Sequence, residues 1–266
     1  MPAYGAAATI VDRLDALRSE SVLPWGCPVP YFGRLSRARL ATIGINPSSR
    51  EFTDAEGVEL DGADRRLPTL RSLGLMGWSY ADATHLRVIL EACDSYFHTR
   101  PYDRWFKVLE AVLQGIGGTY YGEYASACHL DLVPYATSAK WGSLTADERR
   151  LLLETSRPAV GLFLRESSIE LLLLNGKSVV KQFEQIADVT LHSAVVPGWG
   201  LPRTNGRHVS GVAYWGSIER IGGVELPRRV GVVGYNHNLQ SSFGVTSEVL
   251  RQIREWMRSA PWEESG

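Results

Sequence analysis

Residues 38–45 read ARLATIGI, a short apolar run that ends at an Asn-Pro pair. Such a run is too short for a buried helix, so it predicts a buried β-strand. Three more runs of this kind follow at 126–135, 170–176 and 228–236, and segments with helical spacing separate them. This alternation predicts an α/β protein, in which a three-layer α/β/α arrangement surrounds a central four-stranded parallel sheet.

The remaining sequence fits one domain. The chain has 266 residues, 44% hydrophobic and 21% charged, so residues 1–266 are predicted to form a single domain with an ordinary core. Residues 145–155 are predicted to be a helix, with Thr145 as the N-cap and Glu148 at the capping-box position. Residues 187–229 contain several Gly and Pro turns, and we expect loops and short strands there.

Composition also bears on cofactors and location. The three cysteines, Cys27, Cys93 and Cys128, are far apart in sequence. This disfavours a disulfide framework and a four-cysteine metal site, so no metal and no cofactor are expected. The N-terminal segment lacks the basic start and apolar centre of a secretory signal, and the apolar runs are shorter than the ~20 residues of a membrane helix. We therefore expect a cytoplasmic protein without a membrane partner.

Polar residues stand at the end of every predicted strand. They are Asn46 at the first strand, Asp131 at the second, Asn175 at the third, and Asn236 with His237 at the fourth. In open α/β sheets, ligands bind beyond the carboxyl ends of the strands. The sequence therefore predicts a binding site formed by these strand ends.

Residues 44–47 (GINP) resemble the first motif of the uracil-DNA glycosylase superfamily, in its mismatch-specific form. Residues 236–244 are similar to the second motif of the superfamily, and residues 175–176 to the end of its third strand. The order and spacing of the strand ends also match, over residues 38–245. Two features depart from the pattern: Ser48 replaces the usual Gly after the proline, and residues 236–244 contain no proline.

The resemblance implies a monofunctional DNA glycosylase. Such an enzyme flips a base out of DNA, hydrolyses the bond between base and sugar, and leaves an abasic site. Its partner is DNA, it acts as a monomer, and it uses no cofactor. Because the net charge is −1, any DNA binding here requires a local basic patch.

Two residues carry the catalytic prediction. In the enzymes that the first motif resembles, the residue at the position of Asn46 places a water for attack on the sugar C1′, a step that needs orientation more than a strong base. The resemblance also implies that His237 stabilises negative charge on the departing base. Asn236 is the alternative at that position, because the register is open, and it is also a candidate for base recognition.

Asp131 is the departure that bears on the substrate. Uracil-specific relatives carry Asn at the matching position, and an amide can both donate to uracil O4 and accept from N3–H. A carboxylate only accepts, so Asp131 favours an exocyclic amine such as cytosine N4. Since removal of ordinary cytosine would leave abasic sites throughout unmodified DNA, a modified cytosine is expected as the substrate. Some bacterial members of the superfamily remove glucosylated hydroxymethylcytosine from phage DNA as an antiviral defence, and the sequence is compatible with that group.

The remaining candidates fall into two sets. Those expected to stack on the flipped base are Phe52, Trp78, Tyr135 and Trp141. Those expected to contact DNA are Ser48, Lys140, Leu239, Ser241 and Ser242, with the leucine as a wedge and the others on phosphates. His129 and Asp131, spaced i, i+2, would form only half of a metal site, and no partner cluster is apparent in the sequence.

Two alternatives stay open. The same reaction on uracil or another deaminated base would make the chain a base-excision repair enzyme. A nucleic-acid-binding module that kept the fold without catalysis would bind DNA but would leave no abasic product.

Overall fold

One mixed sheet of six strands organises the computed structural model, which describes residues 3–17, 21–202, 208–240 and 244–260. The strands are β1 (Leu40–Gly44), β2 (Ala127–Asp131), β3 (Leu171–Asn175), β4 (His192–Pro202), β5 (His208–Ile221) and β6 (Val224–Tyr235). Their order across the sheet is β2-β1-β3-β6-β5-β4. The broad α/β class expected from the sequence is confirmed.

The first part of the sheet is parallel. β1 pairs with β2 on one side and β3 on the other, and β3 pairs with β6. Every residue of β2 and β3 is buried, as expected for strands covered on both faces. Phe32 exchanges backbone hydrogen bonds with His129 and so covers part of the outer edge of β2. The carboxyl ends of these parallel strands meet at one edge of the sheet.

The sheet is larger than expected, because residues 187–229 were predicted to form loops and short strands. They contain β4 and β5, which extend the sheet by antiparallel pairing onto β6. β4 is an edge strand whose residues are mostly exposed, and its register shifts between Val196 and Leu201. Such a strand needs no apolar run, and its Pro and Gly residues suit a bulged edge. The expected four-stranded sheet is therefore corrected to a six-stranded mixed one.

Helices connect the strands. They are α1 (Tyr4–Leu17), α2 (Leu70–Leu73), α3 (Ala83–Ser95), α4 (Asp103–Leu113), α5 (Ala146–Ser156), α6 (Ala159–Arg165), α7 (Lys177–Ala187) and α8 (Ser247–Arg258). The predicted start of α5 is confirmed, since the Thr145 side chain accepts from the Glu148 N–H and the Glu148 carboxylate accepts from the Thr145 N–H. No described helix is long and apolar enough to cross a membrane.

The helices cover both faces of the sheet. One row of residues in register across the strands points to a single face: His129, Thr42, Leu173, Val233 and Trp215. On that face, two rings of α4 contact His129, and Trp256 of α8 contacts Trp215. Gly234 points to the opposite face, where a Cβ atom on it would meet Val180 of α7. Helix α4 thus lies over the polar ends of β1 and β2, whereas α7 packs on the opposite face against β3, β5 and β6.

Candidate active site

A cavity of about 70 Å³ opens at the carboxyl ends of β1 and β2, beneath α4. It is lined by polar and aromatic side chains: Phe32, Ile45, Asn46, Pro47, Ser48, Glu51, Tyr102, Trp105, Phe106, His129 and Asp131. Three residues predicted from the sequence, Asn46, Ser48 and Asp131, therefore meet at one cavity. Its size leaves room for a few water molecules or a small planar group.

The side-chain amide of Asn46 is fixed by its nitrogen. Nδ2 donates to the Pro47 carbonyl oxygen at 2.9 Å and to Thr137 Oγ1 at 3.1 Å, and Thr137 Oγ1 in turn donates to the Ala139 carbonyl. Since a carbonyl oxygen can only accept, the nitrogen has to be on that side. Oδ1 accepts no hydrogen bond from any described residue. The half-buried amide is thus oriented with its acceptor free to hold a water.

Asp131 approaches β1 closely because residue 44 is glycine. Gly44 and Asp131 are direct partners across the parallel pair, so their side-chain directions share one face. A Cβ atom on Gly44 would overlap Asp131 Oδ1 and would lie 2.9 Å from His129 Nε2. The backbone angle φ of Gly44 is not in the left-handed region, so space alone requires this glycine.

We predict that Gly44→Ala destabilises the protein by about 1–3 kcal/mol, because the added methyl group displaces two buried polar side chains. Gly142→Ala is the matched control, since a Cβ atom there meets nothing within 4 Å. Urea unfolding of the two variants and the wild type measures the difference. Equal stability of all three proteins would contradict the close approach at Gly44.

Buried hydrogen bonds hold Asp131 in place. His129 Nε2 lies 3.3 Å from Asp131 Oδ1, and His129 Nδ1 lies 2.7 Å from Thr42 Oγ1. Thr42 also bonds the hydroxyl group of Tyr120. Asp131 Oδ2 has no partner among the described residues. This chain of buried groups orients the carboxylate and leaves its second oxygen available to a donor in the cavity.

Glu51 is a second carboxyl group at the cavity, and the sequence analysis missed it. Its side chain is buried, and the Tyr96 hydroxyl group donates to Oε2 at 2.6 Å. The same hydroxyl oxygen accepts a hydrogen bond from the Tyr102 backbone N–H. Burial raises the pKa of Glu51 to about 7, the Tyr96 hydrogen bond and the charge of Arg66 oppose this rise, and the negative charge of Asp131 adds to it. Glu51 can therefore hold or accept a proton near neutral pH.

We predict that Glu51 weakens the fold as pH rises. Between its ordinary pKa of 4.5 and about 7, the folded state keeps a proton that the unfolded state has lost. Its contribution is therefore fully present below pH 4.5 and is lost through pH 7, by about 1–3 kcal/mol. Glu51→Gln should remove this dependence, so its unfolding free energy relative to the wild type should rise over this pH range. Parallel pH profiles for the two proteins would contradict the raised pKa.

The residues at the fourth predicted strand end, Asn236 and His237, do not line this cavity. His237 is buried, and its Nε2 is 2.6 Å from the Trp199 carbonyl of β4, the edge strand opposite to β2. The Asn236 side chain accepts from the Val212 N–H and donates to the Ser210 carbonyl, so it continues the pairing between β5 and β6. Neither residue lines the cavity. The structure assigns both to holding the antiparallel strands, which the sequence analysis did not predict.

Three further candidates are packed in the core. Phe52 lies against Gly26 and the ring of Trp25, and the Tyr135 hydroxyl group donates to the Ile10 carbonyl. Leu239 is also buried, so its side chain is not exposed to act as a wedge. A residue just after a strand faces either solvent or core, and the sequence does not reveal which.

Of the described residues predicted to contact DNA phosphates, only one lines the cavity. Ser48 lines the cavity, and its hydroxyl group accepts from the Arg50 N–H at 3.2 Å. Lys140 is exposed three residues beyond Thr137, the partner of Asn46. Ser241 and Ser242 lie outside the described residues. The described contacts thus place one predicted phosphate ligand at the cavity and a second nearby.

The aromatic walls of the cavity come from residues that the sequence analysis did not select. Trp105 of α4 meets the His129 ring edge to face, with 4.9 Å between the ring centres. Its backbone carbonyl accepts from Gln240, whose side-chain oxygen accepts from Asn175 at the end of β3. The third strand end thus acts through Gln240 to position Trp105. An aromatic residue on an amphipathic helix usually belongs to the core, so the sequence alone does not mark Trp105 or Phe106 as site residues.

No protein-family model matches this sequence, and no curated protein matches it. The resemblance to the uracil-DNA glycosylase superfamily therefore rests on the motifs alone, and what it implies for function is a proposal.

Proposed function

We propose that this protein is a monofunctional DNA glycosylase that hydrolyses the N-glycosidic bond of a flipped, modified cytosine. The observation that carries the proposal is the pairing of a fixed amide, Asn46, with a fixed carboxylate, Asp131, on neighbouring strand ends at one cavity. The first can hold a water and the second can read a base. The GINP motif, which supplies Asn46 and the glycine beneath Asp131, supports the same conclusion.

The hydrolysis needs an oriented water and a proton acceptor. Asn46 Oδ1 accepts a hydrogen bond from the water, whose oxygen then forms a bond to the sugar C1′ as the bond from C1′ to the base nitrogen breaks. The departing base takes the bonding electron pair. Glu51 accepts the proton from the water, since a carboxyl group with a pKa of about 7 is partly ionised at neutral pH.

No lysine lines the cavity in the described part of the chain. A covalent imine mechanism needs such an amine, so the cavity favours direct attack by water.

Base selection is assigned to Asp131. Its Oδ1 is already engaged by His129, so Oδ2 is the atom available to accept from the exocyclic amine of cytosine. Trp105 and Phe106 supply aromatic surfaces at the same cavity. The cavity is small, so a glucosyl group on the base would lie outside it, toward the mouth. A hydroxymethyl group is the smaller modification that the cavity suits better.

We predict that Asn46→Ala lowers the rate of base release about 10²–10⁴-fold, since the water loses its orientation. Asn236→Ala is the matched control: it removes two hydrogen bonds to β5, lowers stability by about 1–3 kcal/mol, and keeps the excision rate of the folded enzyme. Abasic sites are measured by alkaline strand cleavage after incubation with modified DNA. The opposite pattern, with Asn236 essential and Asn46 dispensable, would contradict the assignment.

We predict that Asp131→Asn shifts base preference toward uracil, because an amide can donate to uracil O4 whereas a carboxylate cannot. The test is a panel of oligonucleotides that contain cytosine, 5-hydroxymethylcytosine, its glucosylated form or uracil. The wild type should release a modified cytosine and spare cytosine and uracil. Release of uracil alone by the wild type would refute the reading of Asp131.

One observation favours uracil as the second candidate substrate. Glu51 in its protonated form can donate a hydrogen bond to a carbonyl oxygen, which uracil presents at two positions. The third possibility, a non-catalytic nucleic-acid-binding module, predicts binding without any abasic product. The same oligonucleotide panel distinguishes all three.

A further inference from the structure

A second and larger cavity lies between α5 and α7, outside the candidate active site. It is an open groove of about 600 Å³. Four of its lining residues carry a positive charge, Arg149, Arg150, Arg157 and Lys181, and one, Glu154, carries a negative charge. The whole chain has a net charge of −1, so this groove is a local concentration of positive charge. A concave, cationic surface of this kind attracts a polyanion.

Most of this charge is not neutralised by the protein. Arg150 pairs with Asp147 at 2.9 Å, but no ion pair joins Arg149, Arg157 or Lys181 to an acidic residue in the described structure. Arg149 lies in α5 and Arg157 is its C-cap, so the eight residues between them span about 12 Å at 1.5 Å per residue. The three unpaired cations thus form an extended track instead of a single point.

The track begins close to the candidate active site. Asn46 bonds Thr137, and the chain from Thr137 leads through Lys140 to Trp141, which lines the groove. Four residues of extended chain span at most about 14 Å. Trp141 is half-buried and lines the same groove as the cations. Proteins that hold single-stranded DNA combine a positive groove with aromatic side chains on which bases stack.

From these contacts we infer that the groove between α5 and α7 binds the phosphodiester chain of single-stranded DNA on one side of the flipped base. The inference rests on the proposed function, and it names the path of the strand outside the active-site cavity. Arg149, Arg157 and Lys181 contact phosphates, and Trp141 stacks on a base at the end nearest to Asn46.

The test compares two triple variants that each remove three positive charges. Arg149→Ala/Arg157→Ala/Lys181→Ala empties the groove of its unpaired cations. Arg37→Ala/Arg87→Ala/Arg165→Ala is the matched control, because these arginines are exposed, form no ion pair in the described structure and do not line the groove. Fluorescence anisotropy with a labelled single-stranded DNA 15-mer measures the dissociation constant at several salt concentrations.

The groove variant should bind the single strand about tenfold or more weakly than the wild type. Its plot of log affinity against log salt should be shallower by about 2, because each lost phosphate contact removes about 0.7 from the slope. The control variant should keep the wild-type slope. Trp141→Ala should weaken binding and leave the salt slope unchanged, since stacking releases no counterions.

Equal slopes for the groove variant and the wild type would overturn the inference, and so would a preference for duplex DNA or for RNA over single-stranded DNA. Abasic-site formation is scored separately in the same samples. If the groove variant still excises the base and binds single-stranded DNA as the wild type does, the inference about the groove is wrong and the proposed function is unaffected. If DNA binding depends on the groove but no modified DNA loses a base, the proposed function is wrong and the inference about the groove is supported.

Discussion

The site depends on the close approach of Asp131 to β1, where residue 44 has no side chain. Because of this close approach, the carboxyl ends of β1 and β2, neighbouring strands about 4.8 Å apart, together form the floor of one cavity. Asn46 follows Gly44 by two residues, so the same short motif both makes room for the carboxylate and supplies the amide. A larger residue at position 44 would separate the two groups that the proposed chemistry needs together.

Burial of two carboxyl groups at one cavity is costly for the fold. Glu51 responds by keeping its proton to higher pH, whereas Asp131 is held by the His129 ring. Perturbed pKa values cluster at functional sites, so the raised pKa of Glu51 agrees with the proposed role of this cavity. The hydrogen bond from Tyr96 to Glu51 and the one between Thr42 and His129 join segments far apart in sequence, so the tertiary fold holds both carboxyl groups in place.

The parts of the structure that the sequence predicted are those with local signals. The apolar runs predicted β1, β2 and β3, and the Thr145–Glu148 pattern predicted the start of α5. Residues 187–229 were predicted as loops and short strands, so the length of β4 and β5 was missed. β4 is an exposed edge and buried residues of β5 are interrupted by partly exposed ones, so neither strand has a continuous apolar run. Glu51 was missed because its burial depends on Tyr96, 45 positions away. His237 was assigned to the site because the sequence does not reveal toward which neighbouring strand a side chain turns.

The proposed reaction cleaves the bond between base and sugar, and the mass of the released product reveals which bond is broken. DNA that contains 5-hydroxymethylcytosine or its glucosylated form is incubated with the protein, and the small molecules set free are identified by mass spectrometry. A glycosylase releases the intact free base and leaves the sugar and phosphates in the strand, and we expect this result. Release of a nucleoside or nucleotide, or no release from DNA that the protein binds, would contradict it.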